Sequence, residues 1–243
     1  GPTTGTGFVN YVLWGSDGKP LAVVEAKRAS KSSYDGQQQA KLYADALETE
    51  KGQRPVIYYS NGYEHWIWDD ASGYPQRPVQ GFHTRDQLQL MVDRRTTRKP
   101  LATAPIDTEI AGRSYQQAAI RAVTDALEAD KERKALLVMA TGSGKTRTVV
   151  ALSSLLMQAN WAKRVLFLAD RVALVDQAAR AFKTNLPGSS PVVLGREVEA
   201  DSRIHVATYP TMMNLINERT DDGTVLKQRF GIGHYDLIII DEA

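Results

Sequence analysis

Two stretches of this sequence place residue types where they could do chemistry on phosphates. In Met139-Ala140-Thr141-Gly142-Ser143-Gly144-Lys145-Thr146, glycines alternate with a small residue and run into a lysine and a hydroxyl. Glycines let the backbone close around phosphate oxygens, and the N-terminus of a following helix would present unpaired N–H groups. Lys145 would supply a point charge for the β and γ phosphates, and Thr146 would set its hydroxyl on magnesium. The strict pattern asks for glycine at 139, where Met stands, so the match is to Gly-x-Gly-Lys-Thr. Much later, Leu237-Ile238-Ile239-Ile240 runs into Asp241-Glu242. Two carboxylates then sit at the C-terminal end of an apolar strand, the side of a parallel sheet on which ligands bind. Asp241 would hold magnesium and Glu242 would polarise the attacking water. An ATP·Mg²⁺ site built from Gly142, Ser143, Gly144, Lys145, Thr146 and Asp241 is the expectation.

A second constellation lies near the start. Glu25-Ala26-Lys27 ends an apolar run, and residues two apart on a strand share a face, so Glu25 and Lys27 point the same way. Such a pair can hold a divalent ion and steady developing charge at a phosphodiester. A bare Glu-x-Lys is common on exposed strand edges; here Gln39-Ala40-Lys41-Leu42-Tyr43 follows on a helical stretch and gives the pair company.

The elements that must position these residues read as an α/β protein. Phe8 to Trp14 and Leu21 to Ala26 flank Ser16-Asp17-Gly18-Lys19, and Val56 to Tyr59 and Tyr63 to Trp68 flank Asn61-Gly62; both are hairpin signals. A helix from about Gly36 to Glu48 lies between them, giving the order ββαββ. Residues 94–107 carry Arg94, Arg95, Arg98 and Lys99 and lose apolar periodicity between Pro100 and Pro105, so they read as a basic interdomain linker. Beyond it, a helix through Tyr115, Ala119, Ala122, Val123, Ala126 and Leu127 leads to a buried strand at Ala135 to Met139. Strands at Val165 to Ala169, Ile204 to Ala207 and Leu237 to Ile240 alternate with helices starting near Val172 and Thr211. Strands that apolar argue for a parallel sheet covered on both faces.

Composition sets limits around these readings. With 42% hydrophobic and 24% charged residues the chain is ordinary for a globular protein. No run approaches the ~18 to 20 apolar residues of a membrane span. The absence of cysteine excludes disulfides and thiolate metal sites, leaving oxygen and nitrogen as metal ligands. A net charge of +2 does not by itself point to nucleic acid.

Three further stretches resemble the motifs of superfamily-two helicases and translocases. Arg113-Ser114-Tyr115-Gln116 looks like their adenine-reading element, with Gln116 and Arg113 at the nucleotide. Leu168-Ala169-Asp170-Arg171 with Gln177 looks like motif Ia, and Val206-Ala207-Thr208-Tyr209 like motif Ib, which implies that Arg171 and Thr208 touch the DNA backbone. Val23-Val24-Glu25-Ala26-Lys27 with Gln39 and Tyr43 resembles a PD-(D/E)xK nuclease domain and its Gln-x-x-x-Tyr element, with Glu25 as metal ligand. That family's first metal-binding aspartate falls on Asn10 here, a neutral amide that holds Mg²⁺ less tightly.

Combined, the two halves are similar to the restriction (R, HsdR-type) subunit of type I restriction-modification enzymes, from about Phe8 to Ala243. The resemblance implies a nuclease-like α/β domain over 1–93 with a truncated N-terminus, the linker at 94–107, and an incomplete first RecA-like motor domain over 108–243. It further implies ATP-driven translocation on double-stranded DNA, cleavage of unmodified foreign DNA, methylation (M) and specificity (S) subunits as partners, and a cytoplasmic location in a bacterium or archaeon. Without the second motor domain and its arginine, worth ~10³ to 10⁵ in rate in related systems, such a piece should bind nucleotide and scarcely hydrolyse it. A DNA-repair helicase-nuclease and a non-catalytic DNA-binding scaffold are the alternatives.

Overall fold

The computed structural model describes residues 10–28, 32, 36–196, 202–216 and 230–241, and the chain divides into two compact units, 1–97 and 98–243.

In the first unit, β1 (Tyr11–Trp14) and β2 (Pro20–Ala26) pair antiparallel. The turn between them forms as its sequence dictates: Asp17 Oδ1 accepts from the Lys19 N–H and Gly18 takes a φ of 74°. Phe8 and Val9, expected at the start of β1, lie outside the described residues. Helix α1 (Gln37–Lys51) buries Ala40 and Ala44 and stops at left-handed Gly52. It carries the chain over to β3 (Val56–Ser60), which pairs parallel to β2; β4 (His65–Trp68) returns antiparallel across Asn61-Gly62. Asn61 Oδ1 caps that turn by accepting from the N–H groups of Tyr63 and Glu64. The unit then adds β5 (Arg77–Val79) and α2 (Arg85–Thr97), neither of them anticipated, and the sheet order is β1-β2-β3-β4-β5.

The boundary between the units falls between Thr97 and Arg98, inside the segment 94–107 expected as a linker, but residues on either side of it are built into the two units. Arg94 is buried within α2, and Arg95 donates to Asp69 at 3.0 and 2.5 Å and to the carbonyl of Arg54. From Arg98 onward the chain is part of the second unit's packing. Leu101 is fully buried, Glu128 accepts from its N–H at 2.8 Å, and Arg121 donates to the carbonyls of Leu101 and Ala104. Arg95, which looked solvated in sequence, is matched by an acid and a carbonyl far along the chain, and Arg98 lies over the Trp161 ring.

The second unit contains α3 (Ser114–Glu128), α4 (Lys145–Gln158), β6 (Val165–Ala169), α5 (Val172–Asn185), β7 (Val192–Val193), β8 (Ile204–Thr208), α6 (Tyr209–Ile216) and β9 (Leu237–Ile240). Its sheet is parallel throughout, in the order β7-β8-β6-β9. One face buries Val165, Phe167, Ala169, Ile204 and Val206 against α3, α4 and α5.

Two expectations fail here. Ala135 to Met139 forms no strand, and Leu136 and Val138 are 87% and 88% exposed, while Leu137 packs on the core. An apolar run becomes a strand only where a neighbour takes its backbone groups, and β9 is paired on one edge alone among the described residues. The expectation of a sheet covered on both faces fails only at β9: Leu166, Leu168 and Ala207 are buried on the second face with Met212 and Phe230, while Ile238 and Ile240 stand half exposed.

Candidate functional sites

Parallel register brings the ends of three strands to one edge of the second unit. Ala169 lies opposite Thr208 and Leu168 opposite Ile240, so Asp170, Arg171, Thr208 and Asp241 all emerge at the carboxyl side of the sheet. The Asp241 N–H donates to the carbonyl of Leu168 at 2.9 Å, which fixes the backbone from which its carboxylate projects. Glu242 lies outside the described residues.

The glycine-rich loop opens α4, whose first residues are Lys145 and Thr146, both half-buried. Gly142 and Gly144 have φ of 77° and 89°, conformations that side chains resist. Gly144 is constrained twice, because a Cβ on it would lie 2.5 Å from Gln116 Nε2. Gln116 is buried and turned onto the loop: Nε2 donates to the Ser143 carbonyl at 3.1 Å, and Oε1 accepts from the Arg113 N–H at 3.2 Å. An amide has two N–H groups and two lone pairs. These two bonds use one of each.

Arg171 and Thr208 reach the same edge of the sheet with different local duties. Arg171 is exposed, with Nε 3.3 Å from Asp170 Oδ2. Thr208 Oγ1 lies 2.9 Å from Thr211 Oγ1 and accepts from the Thr211 N–H, so it also caps α6. Thr208 and Val172, the residue after Arg171, both line a cavity of about 220 Å³.

In the first unit the residues expected at the second constellation come together as one chain of hydrogen bonds. Lys27 Nζ lies 2.8 Å from Glu25 Oε1 and donates to Gln39 Oε1 at 2.6 Å; Gln39 Nε2 donates to the Tyr43 hydroxyl at 2.8 Å. β2 supplies Glu25, α1 supplies Gln39 and Tyr43, and Lys27 follows directly on β2, where its N–H, bonded to the Ser60 carbonyl, extends the β2–β3 ladder. Glu25 is buried beside Tyr59, whose ring stacks on Trp66. Its second oxygen, Oε2, is buried and meets no donor among the described residues. Asn10 Oδ1 is committed to the N–H of Ala26 at 2.8 Å.

A divalent cation would therefore find one waiting carboxylate oxygen and one neutral amide. No group of three acid or imidazole side chains suited to a metal forms among the described residues.

Sequence reasoning missed Gly36. A Cβ there would sit 3.1 Å from Glu25 Cγ and 3.5 Å from Lys27 Cε, so glycine is what lets α1 start against the pair. It missed Arg147 as well, which donates to the carbonyls of Ile110 at 2.8 Å and Glu109 at 2.5 Å and ties α4 to the segment before α3. Neither leaves a local signature.

A parallel sheet with acids and hydroxyls along its carboxyl edge, beside a helix opened by a glycine loop, belongs to the RecA-like class of helicase domains. Residues 109–243 match the family described as "Type III restriction enzyme, res subunit", and the chain belongs to that family. Among curated proteins it is 30% identical over 245 residues to the Type I restriction enzyme EcoAI endonuclease subunit of Escherichia coli, covering 96% of this chain and 29% of that protein. It is 29% identical over 295 residues to the EcoKI endonuclease subunit of E. coli strain K12, covering 99% and 24%. A fragment structure of an HsdR subunit of a type I restriction enzyme from Vibrio vulnificus YJ016 matches at 30% identity and a TM-score of 0.40, covering 97% of this chain and 41% of that one. The resemblance to type I R subunits read from the sequence is borne out. The chain spans about a quarter to three-tenths of the curated relatives' length.

Proposed function

We propose that this chain is the nucleotide-binding and nuclease-like part of the R subunit of a type I restriction enzyme, working with M and S subunits on double-stranded DNA. The carrying observation is the glycine loop at the start of α4 in a parallel-sheet unit whose β9 is followed directly by Asp241. In this reading the N–H groups of Gly142 to Thr146 and the Lys145 ammonium hold the β and γ phosphates. Thr146 and Asp241 hold Mg²⁺, which when bound neutralises charge on the phosphate oxygens. Glu242 orients the attacking water, and Gln116 offers its remaining donor and acceptor to adenine. Arg171 and Thr208 grip DNA phosphates, a contact blind to sequence and weakened by salt. Sequence choice then falls to the S subunit.

The first unit is read as a PD-(D/E)xK nuclease in which Glu25 Oε2 is the metal ligand and Lys27, steered by Gln39 and Tyr43, faces the phosphate. A second reading, with the motor working and the nuclease lost, is favoured by one observation: Asn10 stands where the nuclease family has an acid, and its oxygen already serves Ala26.

Lys145→Ala tests the motor. Removing one partner of a desolvated charge pair costs about 2 to 5 kcal/mol, so binding of a fluorescent ATP analogue should weaken by roughly 30-fold or more, with the far-UV circular dichroism spectrum unchanged. Unaltered affinity in that variant defeats the assignment.

A further inference from the structure

Ser143 is held from every side. Its N–H and hydroxyl both reach the Ala140 carbonyl, at 3.2 and 2.6 Å. Its own carbonyl accepts two hydrogen bonds, from the Tyr115 hydroxyl at 2.8 Å and from Gln116 Nε2 at 3.1 Å. Tyr115 is itself held by Arg113, whose Nη1 donates to the phenolic oxygen at 2.7 Å and whose guanidinium lies 5.9 Å from the ring centre. Helix α4 is fastened to the same region by Arg147.

The Ser143 carbonyl and the Gly144 N–H belong to one peptide unit. That unit is planar and trans, so the two groups point in opposite directions. Fixing the carbonyl toward α3 turns the Gly144 N–H the other way, into the loop. Gly144, with a φ of 89°, is the residue at which such a peptide could most readily flip. A flip would bring a carbonyl dipole to face phosphate oxygens in place of an N–H.

We infer that Tyr115 is a positioning residue for the triphosphate: through the Ser143 carbonyl, its hydroxyl locks the peptide that aims the Gly144 N–H at phosphate. This rests on the nucleotide-binding reading above and adds to it a contact that acts on phosphate and not on the base.

Tyr115→Phe removes the hydroxyl and keeps the ring, so any stacking on a base survives. Affinities for ATP, GTP and inorganic tripolyphosphate are measured by calorimetry on wild type, Tyr115→Phe and Lys145→Ala. The expected result is a common loss of about five-fold for all three ligands in Tyr115→Phe, the weight of one hydrogen bond. The ATP-to-GTP ratio and the melting temperature should stay at wild-type values, and hydrogen exchange at the Gly144 amide should be faster. Unchanged tripolyphosphate affinity in Tyr115→Phe overturns the inference while leaving nucleotide binding intact. A loss confined to ATP also overturns it, since Tyr115 would then be reading the base. Failure of wild type to bind any of the three ligands, or equal binding by Lys145→Ala, removes the nucleotide reading and the inference with it.

Discussion

Asn10 shows how one atom can separate an assembled site from a competent one. Its carbonyl oxygen completes a structural bond to Ala26, so the end of β2 that carries Glu25 and Lys27 is well placed whether or not a metal binds. Asparagine and aspartate both supply that acceptor, and only aspartate adds a charge. Asn10→Asp should therefore leave the melting temperature near wild type and raise Mg²⁺ affinity. Even outer-shell partners of a metal are worth ~10 to 100-fold, and a gained carboxylate should match or exceed that. Mg²⁺-dependent cleavage of linear DNA by the full-length enzyme is the readout; identical cleavage with Asn and Asp would move the metal site elsewhere. The Glu25, Lys27, Gln39 and Tyr43 set was legible because its spacing is local to one strand and one helix. Gly36 was not, because its importance is a distance to side chains eleven and nine positions earlier in the chain.

At the level of elements, turn chemistry was readable and charge was not. Asp-Gly and Asn-Gly mark their hairpins through bonds to their own neighbours. The arginines at 94 and 95 and the helix that holds them were misread, since the partner of Arg95 is Asp69, which no local pattern reveals. Helix α2 buries only Leu88 and Arg94 among its residues and so leaves little apolar stripe to find. Arg54 is the clearest case of a distant match. It binds Asp70 through two nitrogens at 2.7 and 2.5 Å and Asp45 and Glu48 of α1 through a third, and these acids, Asp70 first, hold its pKa above the usual arginine value. Arg54→Met would strand the nearly buried Asp70 carboxylate, at a cost of about 3 kcal/mol. The urea midpoint of the first unit should fall accordingly. Lys41→Met, which breaks the exposed pair with Asp45 at 3.7 Å, should change it by under ~0.5 kcal/mol. Equal effects would deny the network its role in seating α1.

On the scale of the whole molecule, two units with separate cores should answer separately to pH. His83 is buried in the first unit with Nδ1 2.6 Å from the Tyr58 hydroxyl, and burial, assisted by nearby Arg77, lowers its pKa from 6.5 to about 4. Burial also pushes the pKa of Tyr58 upward. Between those two pH values the unfolded chain takes up a proton that the folded chain refuses. Stability is then full above pH 6.5 and declines toward pH 4, by on the order of 3 kcal/mol at most. His83→Gln should flatten that part of the first unit's pH–stability curve relative to wild type and leave the second unit's transition alone; parallel curves for the two proteins would exclude His83 as the cause.

The bare side of β9 has a practical corollary. Among the described residues β9 pairs with β6 alone, so its other rim, beside half-exposed Ile238 and Ile240, is a template for another extended chain. Left to itself in concentrated solution, this polypeptide should zip onto copies of itself through that border, so dilute handling and a monodispersity check belong ahead of every measurement made on it.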